Sequence, residues 1–240
     1  MKKTLLAAAA LAFTAGLAHA GDTVRMGTEG KYPPYNFIND KGQVDGFERE
    51  LGDKLCAMES LTCTWTTNDW DSIIPNLLSG NYDTIMAGMS ITDERKKTID
   101  FTQAYYPPAF SAYLGKDAGA NIKGVVAAQV GTIQADYVAK SGATLLEFPT
   151  MDDTIAAVKN GEADAVFADK DALKPFSKAE GGDFVWAGQE VQLGEGIGVG
   201  LRKSDTALKD KLNDGIGKMK ADGSLNVMLK KWFGDETPTF

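Results

Sequence analysis

The sequence has little histidine, few cysteines and no long apolar run after its first residues. Its only histidine is His19. Residue 19 lies in a segment typical of a secretory signal peptide, where Lys2 and Lys3 precede an apolar stretch and Ala18-His19-Ala20 forms the cleavage site. We therefore expect removal of residues 1–20. The remaining chain, which would begin at Gly21, could not use a histidine triad, metal site or general base.

A membrane anchor is the alternative for this segment. Its apolar part, Leu5 to Leu17, is shorter than the roughly 20 residues that a membrane-spanning helix needs. No later run is long and apolar enough either, so we expect an exported, soluble protein.

The balance of charge is acidic. The formal net charge of −8 at pH 7 becomes −10 when the two lysines of the signal leave, since no acidic residue leaves with them. Nucleic-acid binding depends on Lys and Arg, so we expect no nucleic-acid partner. A cationic ligand is compatible with this charge, although acidity by itself mainly serves solubility.

Cys56 and Cys63 are the only cysteines. In an exported chain, such a closely spaced pair is expected to form one local disulfide. It would join a helix end around Leu51–Met58 to the next strand, Cys63–Thr66. A free or metal-binding pair is the alternative, but two thiolates without histidine make a poor metal site. We expect no metal and no cofactor.

Strands and helices are predicted to alternate along the chain, which indicates an α/β fold with parallel sheets. The predicted strands are Thr23–Gly27, Thr62–Thr66, Thr84–Gly88, Val125–Ala128, Thr144–Phe148, Ala165–Ala168 and Gly196–Leu201. The predicted helices are Phe47–Glu59, Asp71–Ser79, Ile133–Ser141, Thr154–Asn160, Ala172–Ala179, Thr206–Asp222 and Ser224–Phe233.

One pattern recurs at a constant offset of 81 residues. Segments 71–80 and 152–161 each read as a helix with a glycine stop, followed by an aspartate and a buried strand. Chance similarity of two such units is the alternative. A true repeat would give two lobes of like build, in which Gly88 and Asp169 end equivalent strands.

Two extended segments, Pro107–Lys116 and Gly196–Lys203, are predicted to cross between the lobes. Paired crossings form a hinge and return the C-terminal helices to the first lobe. The expected division is residues 21–110 for the first part of lobe 1, 111–197 for lobe 2 and 198–240 for the return to lobe 1. Ligands of α/β sheets lie beyond the carboxyl ends of strands, often between domains, so we expect a cleft there.

The stretch Ser90-Ile91-Thr92-Asp93-Glu94-Arg95 follows a strand-like run and begins a predicted helix. It places a hydroxyl, free backbone N–H groups and a guanidinium near one strand end. Helix N-termini attract anions, and Arg binds carboxylate through two parallel hydrogen bonds. The stretch therefore predicts a site for a small carboxylate. A capped surface helix with a solvated Arg95 is the alternative.

Several motifs along the chain form a specific set. They are Gly27-Thr28-Glu29-Gly30-Lys31-Tyr32-Pro33-Pro34-Tyr35, Asp45-Gly46-Phe47-Glu48, Trp70-Asp71-Ser72-Ile73-Ile74-Pro75, the stretch 90–95, Phe101-Thr102, Gly131-Thr132, Asp222-Gly223-Ser224 and Lys231-Trp232-Phe233. With them, over residues 1–233, the chain resembles the periplasmic amino-acid-binding proteins of bacterial ABC importers (family 3 solute-binding proteins, basic and polar amino-acid group). The cysteine pair lies where basic-amino-acid members carry their disulfide.

The resemblance implies a two-lobe periplasmic binding protein of type II, the Venus-flytrap fold, with two hinge crossings. Such a protein is a periplasmic monomer and not an enzyme. It captures an L-amino acid, here expected to be basic (arginine, lysine, ornithine or histidine), and delivers it to an ABC permease in the inner membrane. The alternatives are an opine- or glutamine-binding protein, or an enzyme similar to cyclohexadienyl dehydratases with Glu29 or Asp169 as general acid.

The resemblance also implies roles for the residues that would hold the ligand's main chain. Arg95 would clamp the α-carboxylate, with backbone N–H groups around Ser90 and Thr132. Asp169 would accept from the α-ammonium, with the Gly88 carbonyl and the Ser90 hydroxyl. A buried zwitterion needs such partners, because each charge has lost its water.

Four further residues would hold the ligand's side chain. Tyr32 and Trp70 would sandwich it, with cation–π attraction if it is positive. Glu29 would face its cationic end, and Glu48, on the same wall, would assist through water. Each residue also has a simpler interpretation. Glu29 would be a solvated loop carboxylate, and Tyr32 and Trp70 would be ordinary core aromatics. Glu48 would only interact favourably with the dipole of its helix, and Asp169 would cap a helix.

Some positions depart from the family pattern. Basic-amino-acid members often place hydroxyl residues where Ala87 and Gly88 stand, so this pocket is expected to be wider or less polar. Ile133 replaces a hydroxyl residue, although its backbone N–H remains. Gln129 and Gln134 offer polar side chains of undetermined direction. A larger guanidino compound such as an opine therefore stays an alternative.

Overall fold

The structure is a computed structural model that describes residues 23–240. The predicted signal segment, which contains His19, lies outside these residues. No helix in the described range combines the length and the apolar composition needed to cross a membrane.

Short strands and helices alternate along the described chain. Strands β1–β13 span Thr23–Thr28, Lys31–Tyr32, Asn36–Ile38, Val44–Asp45, Thr62–Thr67, Thr84–Ile85, Asp100–Phe101, Phe110–Gly115, Val125–Gln129, Thr144–Phe148, Ala165–Asp169, Val185–Gln192 and Gly200–Leu201. Helices α1–α8 span Phe47–Met58, Ile73–Leu78, Asp93–Thr98, Ile133–Lys140, Met151–Asn160, Lys170–Leu173, Thr206–Ala221 and Ser224–Phe233.

Two five-stranded sheets are found in residues 23–240, one in each lobe. Their strand orders are β5-β1-β6-β13-β7 and β10-β9-β11-β8-β12. Each sheet contains three parallel strands, and the earliest of the three in the chain lies in the middle: β1 between β5 and β6, and β9 between β10 and β11. The shared order confirms the repeat predicted at an offset of 81 residues, and the α/β class is confirmed with it. A small antiparallel sheet, β2-β3-β4, accompanies the first lobe.

Both sheets are mixed, whereas the sequence predicted parallel sheets. Strand β13 runs antiparallel to β6 and β7, and β8 runs antiparallel to β11 and β12. Alternating strands and helices indicate parallel pairs, because parallel strands must be joined by a long crossover that is usually a helix. Antiparallel pairs need no such crossover, so the alternation did not predict them.

The first predicted crossing, Pro107–Lys116, is wrong in its second half. Strand β8, Phe110–Gly115, pairs with neighbours on both edges and is buried over all but its first residue. In the second predicted crossing, only Gly200–Leu201 forms a strand. Ile197 forms isolated bridges to Ser90 and Tyr106, so this segment pairs with the stretch 90–95 and with the residue directly before the other predicted crossing.

Other predicted elements are shorter or broken. The predicted helix Ala172–Ala179 is replaced by α6 and two 3₁₀ turns, Lys174–Phe176 and Lys178–Glu180. Pro175 has no N–H for the carbonyl four residues earlier, so an α-helix cannot continue there. Strand Thr84–Gly88 ends at Ile85. The sequence missed the edge strand β12, whose exposed polar residues hide its alternation.

The predicted disulfide between Cys56 and Cys63 is present. It joins the last turn of α1 to β5, as the sequence indicated. Strand β5 is an edge strand with largely exposed residues, so the cross-link attaches it to a helix that is buried on one face.

Replacing both cysteines by alanine should lower the free energy of unfolding by about 2 kcal/mol, because the short cross-linked loop no longer restricts the unfolded chain. Urea denaturation followed by circular dichroism measures this loss. The unsubstituted protein under reducing conditions is the control and should lose a similar amount. An unchanged midpoint in both would show that the bridge contributes no stability.

Candidate functional site

A small cavity is lined by residues from both lobes. The lining residues are Glu29, Tyr32, Trp70, Ala87, Gly88, Ser90 and Arg95 from the first lobe and Gln129, Thr132, Ile133, Gln134 and Asp169 from the second. The structure thus brings together every ligand residue expected from the sequence except Glu48.

Strand ends and helix starts place these residues. Glu29 directly follows β1, and Gln129 and Asp169 are the last residues of β9 and β11. Thr132 caps α4, where its hydroxyl accepts from the Ala135 N–H at 3.1 Å. Carboxyl ends of neighbouring parallel strands meet at one sheet edge, which is where α/β proteins bind ligands.

Arg95 lies in the first turn of α3, which is capped by Thr92. Its guanidinium donates to the Ser90 carbonyl at 2.9 Å and to the Gly131 carbonyl at 3.2 Å. It also lies 5.3 Å from the ring centroid of Trp70. Burial lowers the pKa of Arg95 to about 10, so it stays charged at neutral pH. The remaining N–H donors of the guanidinium are available to a carboxylate.

Asp169 is the buried acid of the second lobe, with 5% of its surface exposed. Tyr32 donates its hydroxyl to one carboxylate oxygen at 2.8 Å, and Gln134 donates to the other at 2.9 Å. Burial raises the pKa of Asp169 to about 6. Its side chain makes no helix-cap hydrogen bond, so capping does not explain it. Each oxygen can accept again, which suits an ammonium.

Glu29 is the buried acid of the first lobe, with 3% of its surface exposed. Gln129 donates its amide N–H to Glu29 Oε1 at 2.6 Å. Burial raises the pKa of Glu29 to about 7, while Lys31 lowers this pKa and Asp69 and Glu48 raise it further. A solvated loop carboxylate would show neither the burial nor the shift.

The two aromatic side chains contact the charged groups of the site. Trp70 and Tyr32 are each 8% exposed and line the cavity. Trp70 lies beneath the Arg95 guanidinium, and the Tyr32 hydroxyl is bound to Asp169. Their sandwich of a ligand side chain stays a prediction.

Three hydrogen bonds join the two walls of the cavity. They link Tyr32 to Asp169, Gln129 to Glu29, and Arg95 to the Gly131 carbonyl. Each bond uses one of the charged groups of the site. The charged groups therefore also hold the two lobes together.

Glu48 differs from its expected place, because it lies behind the wall rather than on it. It is completely buried and does not line the cavity. Its carboxylate accepts from the Gly88 N–H and the Asn36 amide, each at 2.7 Å, and from the Tyr105 hydroxyl. Burial raises its pKa. Its observed role is to hold Gly88 in place.

Gly88 adopts a left-handed backbone conformation with φ of 63°. A Cβ atom there would lie 3.4 Å from the Tyr32 ring. That approach to Tyr32 is an ordinary contact, so the left-handed backbone conformation rather than a lack of space favours glycine at this position.

Sequence reasoning missed three supporting residues: Asn36, Tyr105 and Ser111. Asn36 accepts from the Gly30 N–H at 2.7 Å, next to Glu29. The Ser111 hydroxyl accepts from Gln134 at 3.0 Å and thereby holds the amide that binds Asp169. For Ser111 the only available signal was a small polar residue within the otherwise apolar strand β8, which is a weak one.

A model of the bacterial extracellular solute-binding proteins, family 3, matches residues 24–235. Among curated relatives, the putative ABC transporter arginine-binding protein 2 of Escherichia coli (strain K12) is 33% identical over 244 residues. That match covers 97% of this chain and 99% of the relative.

Solved structures give the same result. The crystal structure of a periplasmic His/Glu/Gln/Arg/opine family-binding protein from Silicibacter pomeroyi in complex with lysine is 63% identical, with a TM-score of 0.89. It covers 90% of this chain and 100% of that chain. An ancestral arginine-binding protein bound to glutamine is 30% identical, with a TM-score of 0.81 and coverage of 90% and 100%.

Glu29→Gln should raise the free energy of unfolding at pH 8 by about 1–3 kcal/mol. The pKa of Glu29 rises from its ordinary value of 4.5 to about 7 on folding. Its buried charge therefore costs stability above pH 7, and this cost disappears as the pH falls to 4.5. Urea denaturation at pH 8 and pH 4.5 should show a gain only at pH 8.

The matched control is Glu147→Gln, which changes an exposed carboxylate on β10. It should alter the free energy of unfolding little at either pH. A loss of stability at pH 8 in Glu29→Gln would mean that the burial of Glu29 carries no such cost.

Proposed function

This chain belongs to the bacterial extracellular solute-binding proteins, family 3, and we propose that it captures one L-amino acid with a cationic side chain in its cleft. The protein is then the periplasmic component of an ABC importer and delivers this ligand to the permease in the inner membrane.

The charge of the cavity carries this proposal. The cavity is lined by two carboxylates, those of Glu29 and Asp169, and by one guanidinium, that of Arg95. With both acids ionised, the lining has a net charge of −1. A basic amino acid has one carboxylate and two cationic groups, so it neutralises the cavity. Burying an uncompensated charge is costly, which favours such a ligand over an acidic one.

The placement of the charges supports individual roles. Arg95 takes the α-carboxylate, together with backbone N–H groups of residues 90 and 132. Asp169 takes the α-ammonium on oxygens already oriented by Tyr32 and Gln134. No described residue hydrogen-bonds to the Ser90 hydroxyl, which leaves it for the ligand. Glu29 is then left for the cationic end of the side chain.

The relatives support the same ligand class. Those named above bind arginine, lysine or glutamine according to their descriptions. These ligands share the α-carboxylate and the α-ammonium, and they differ in the group that would meet Glu29. The protein is proposed to act as a monomer.

Capture occurs by closure of the two lobes, with the division into residues 21–110, 111–197 and 198–240 as proposed. A ligand can favour closure only if it makes contacts in the closed arrangement that the open one lacks. Arg95 donates a hydrogen bond across the cleft, and Glu29 and Asp169 each accept one. A ligand that binds these three groups contacts both lobes at once and therefore has that effect.

The second candidate is an enzyme on the same fold, because a buried Glu29 with a pKa of about 7 could serve as a general acid. Binding is preferred, because Arg95 and Asp169 together suit a zwitterion better than a prephenate-like dianion. Turnover of prephenate or arogenate by the purified protein would overturn the preference.

Arg95→Ala should weaken binding of the cationic ligand on the order of a hundredfold or more, since it leaves a buried carboxylate unpaired. The measurement is calorimetric titration of refolded, ligand-free protein with arginine, lysine, histidine, glutamine, glutamate and octopine. The unsubstituted protein should bind a cationic member one to one and ignore glutamate.

Lys97→Ala on the same helix is the matched control. The Lys97 side chain is exposed and forms an ion pair with Glu94, and its backbone carbonyl, which the substitution keeps, accepts a hydrogen bond from the Lys203 side chain. The substitution should leave affinity unchanged. The proposal would be wrong if the unsubstituted protein bound none of the basic ligands, or if Arg95→Ala bound them with the affinity of the unsubstituted protein.

Arginine affinity should decline as the pH falls below about 7, because protonation of Glu29 removes the partner of the guanidinium. Glutamine affinity should stay nearly constant until the pH approaches 6, where protonation of Asp169 weakens both ligands. Calorimetry between pH 5 and 8.5 measures both profiles. If the affinities for arginine and glutamine depended on pH in the same way, Glu29 could not be the group that binds the cationic end of the side chain.

A further inference from the structure

Gln129 connects the second lobe to the acid of the first. It is the last residue of β9, lines the cavity and is 6% exposed. Its amide nitrogen donates to Glu29 Oε1 at 2.6 Å and to the Pro149 carbonyl at 3.0 Å. One wall of the cavity thus contacts the acid of the other through a neutral amide.

These two bonds set the orientation of the amide. A carbonyl such as that of Pro149 can only accept a hydrogen bond, so the nitrogen must be the atom that faces it. The reversed amide would place oxygen against oxygen at Pro149. Both N–H groups of Gln129 are therefore committed, one to each acceptor.

The side-chain carbonyl oxygen of Gln129, Oε1, is left as an acceptor. Within residues 23–240, no donor hydrogen-bonds to Gln129 Oε1. Glu29 Oε1 already receives the amide of Gln129, which leaves Glu29 Oε2 as the less occupied oxygen of that carboxylate. Gln129 and Glu29 both line the cavity, so this hydrogen-bonded pair brings together one charged and one neutral acceptor group, one from each lobe.

We propose that Gln129 is a specificity-determining residue that, together with Glu29, binds the terminal group of the ligand and favours a guanidinium over an ammonium. This inference rests on the proposed function. A guanidinium carries its N–H donors in a rigid planar fork, and each buried N–H without a partner is costly. A single carboxylate satisfies part of that fork, and Gln129 Oε1 supplies a further acceptor. A compact ammonium on a flexible stem can turn its donors toward Glu29 and depends less on a second acceptor.

The test is Gln129→Leu, titrated with arginine and with lysine. Leucine keeps a similar side-chain volume and removes the acceptor. Arginine affinity should fall about tenfold or more, whereas lysine affinity should change by less than about threefold, so the ratio of the two falls. Gln129→Met gives a second variant of similar shape if the first one folds poorly.

Gln192→Leu is the matched control, because Gln192 also donates its amide to a proline carbonyl, that of Pro108, but lies outside the cavity. It should leave the ratio unchanged. Equal losses for arginine and lysine in Gln129→Leu would show a merely structural role and overturn the inference, as would unchanged arginine affinity. If the unsubstituted protein binds neither ligand, the proposed function itself fails, and this is seen before any variant is compared.

Discussion

A buried charge requires a partner, and this constraint determines the arrangement of the cleft. Arg95, Glu29 and Asp169 are all largely withdrawn from water, and each is hydrogen-bonded to a group of the opposite lobe. Their desolvation raises the pKa of both acids, so the site holds its charges at a cost. A ligand of complementary charge relieves that cost, and this couples recognition to the contact between the lobes.

The walls depend on a second set of buried polar groups that the ligand does not reach. Glu48 is the centre of this set, since its carboxylate accepts from Asn36, Tyr105 and the Gly88 N–H. Asn36 in turn holds the Gly30 N–H beside Glu29. On the second lobe, Ser111 has the corresponding role through Gln134. In a close-packed interior, such satisfied networks keep the binding groups in one orientation.

Local patterns predicted a large part of the fold and of the site. The repeat at an offset of 81 residues indicated two similar sheets, and the motif at residues 90–95 placed Arg95 at a helix start. Predictions of strands failed where the pairing partner was distant in sequence: β8 was read as a crossing, β12 was missed, and the sheets were expected to be parallel. Antiparallel pairing with a distant strand leaves little trace in the sequence of either strand.

The sequence by itself determined which chemical groups the cleft contains, because strand ends, glycines and helix caps are local features that bring Glu29, Gly88, Arg95 and Asp169 to sheet edges. Tertiary structure decided how these groups are used. Only the packing of one lobe against the other places Gln129 on Glu29 and Tyr32 on Asp169, and encloses Glu48 behind the wall. Hydrogen-bond partners far apart in the chain depend on three-dimensional distance, which spacing along the sequence does not specify.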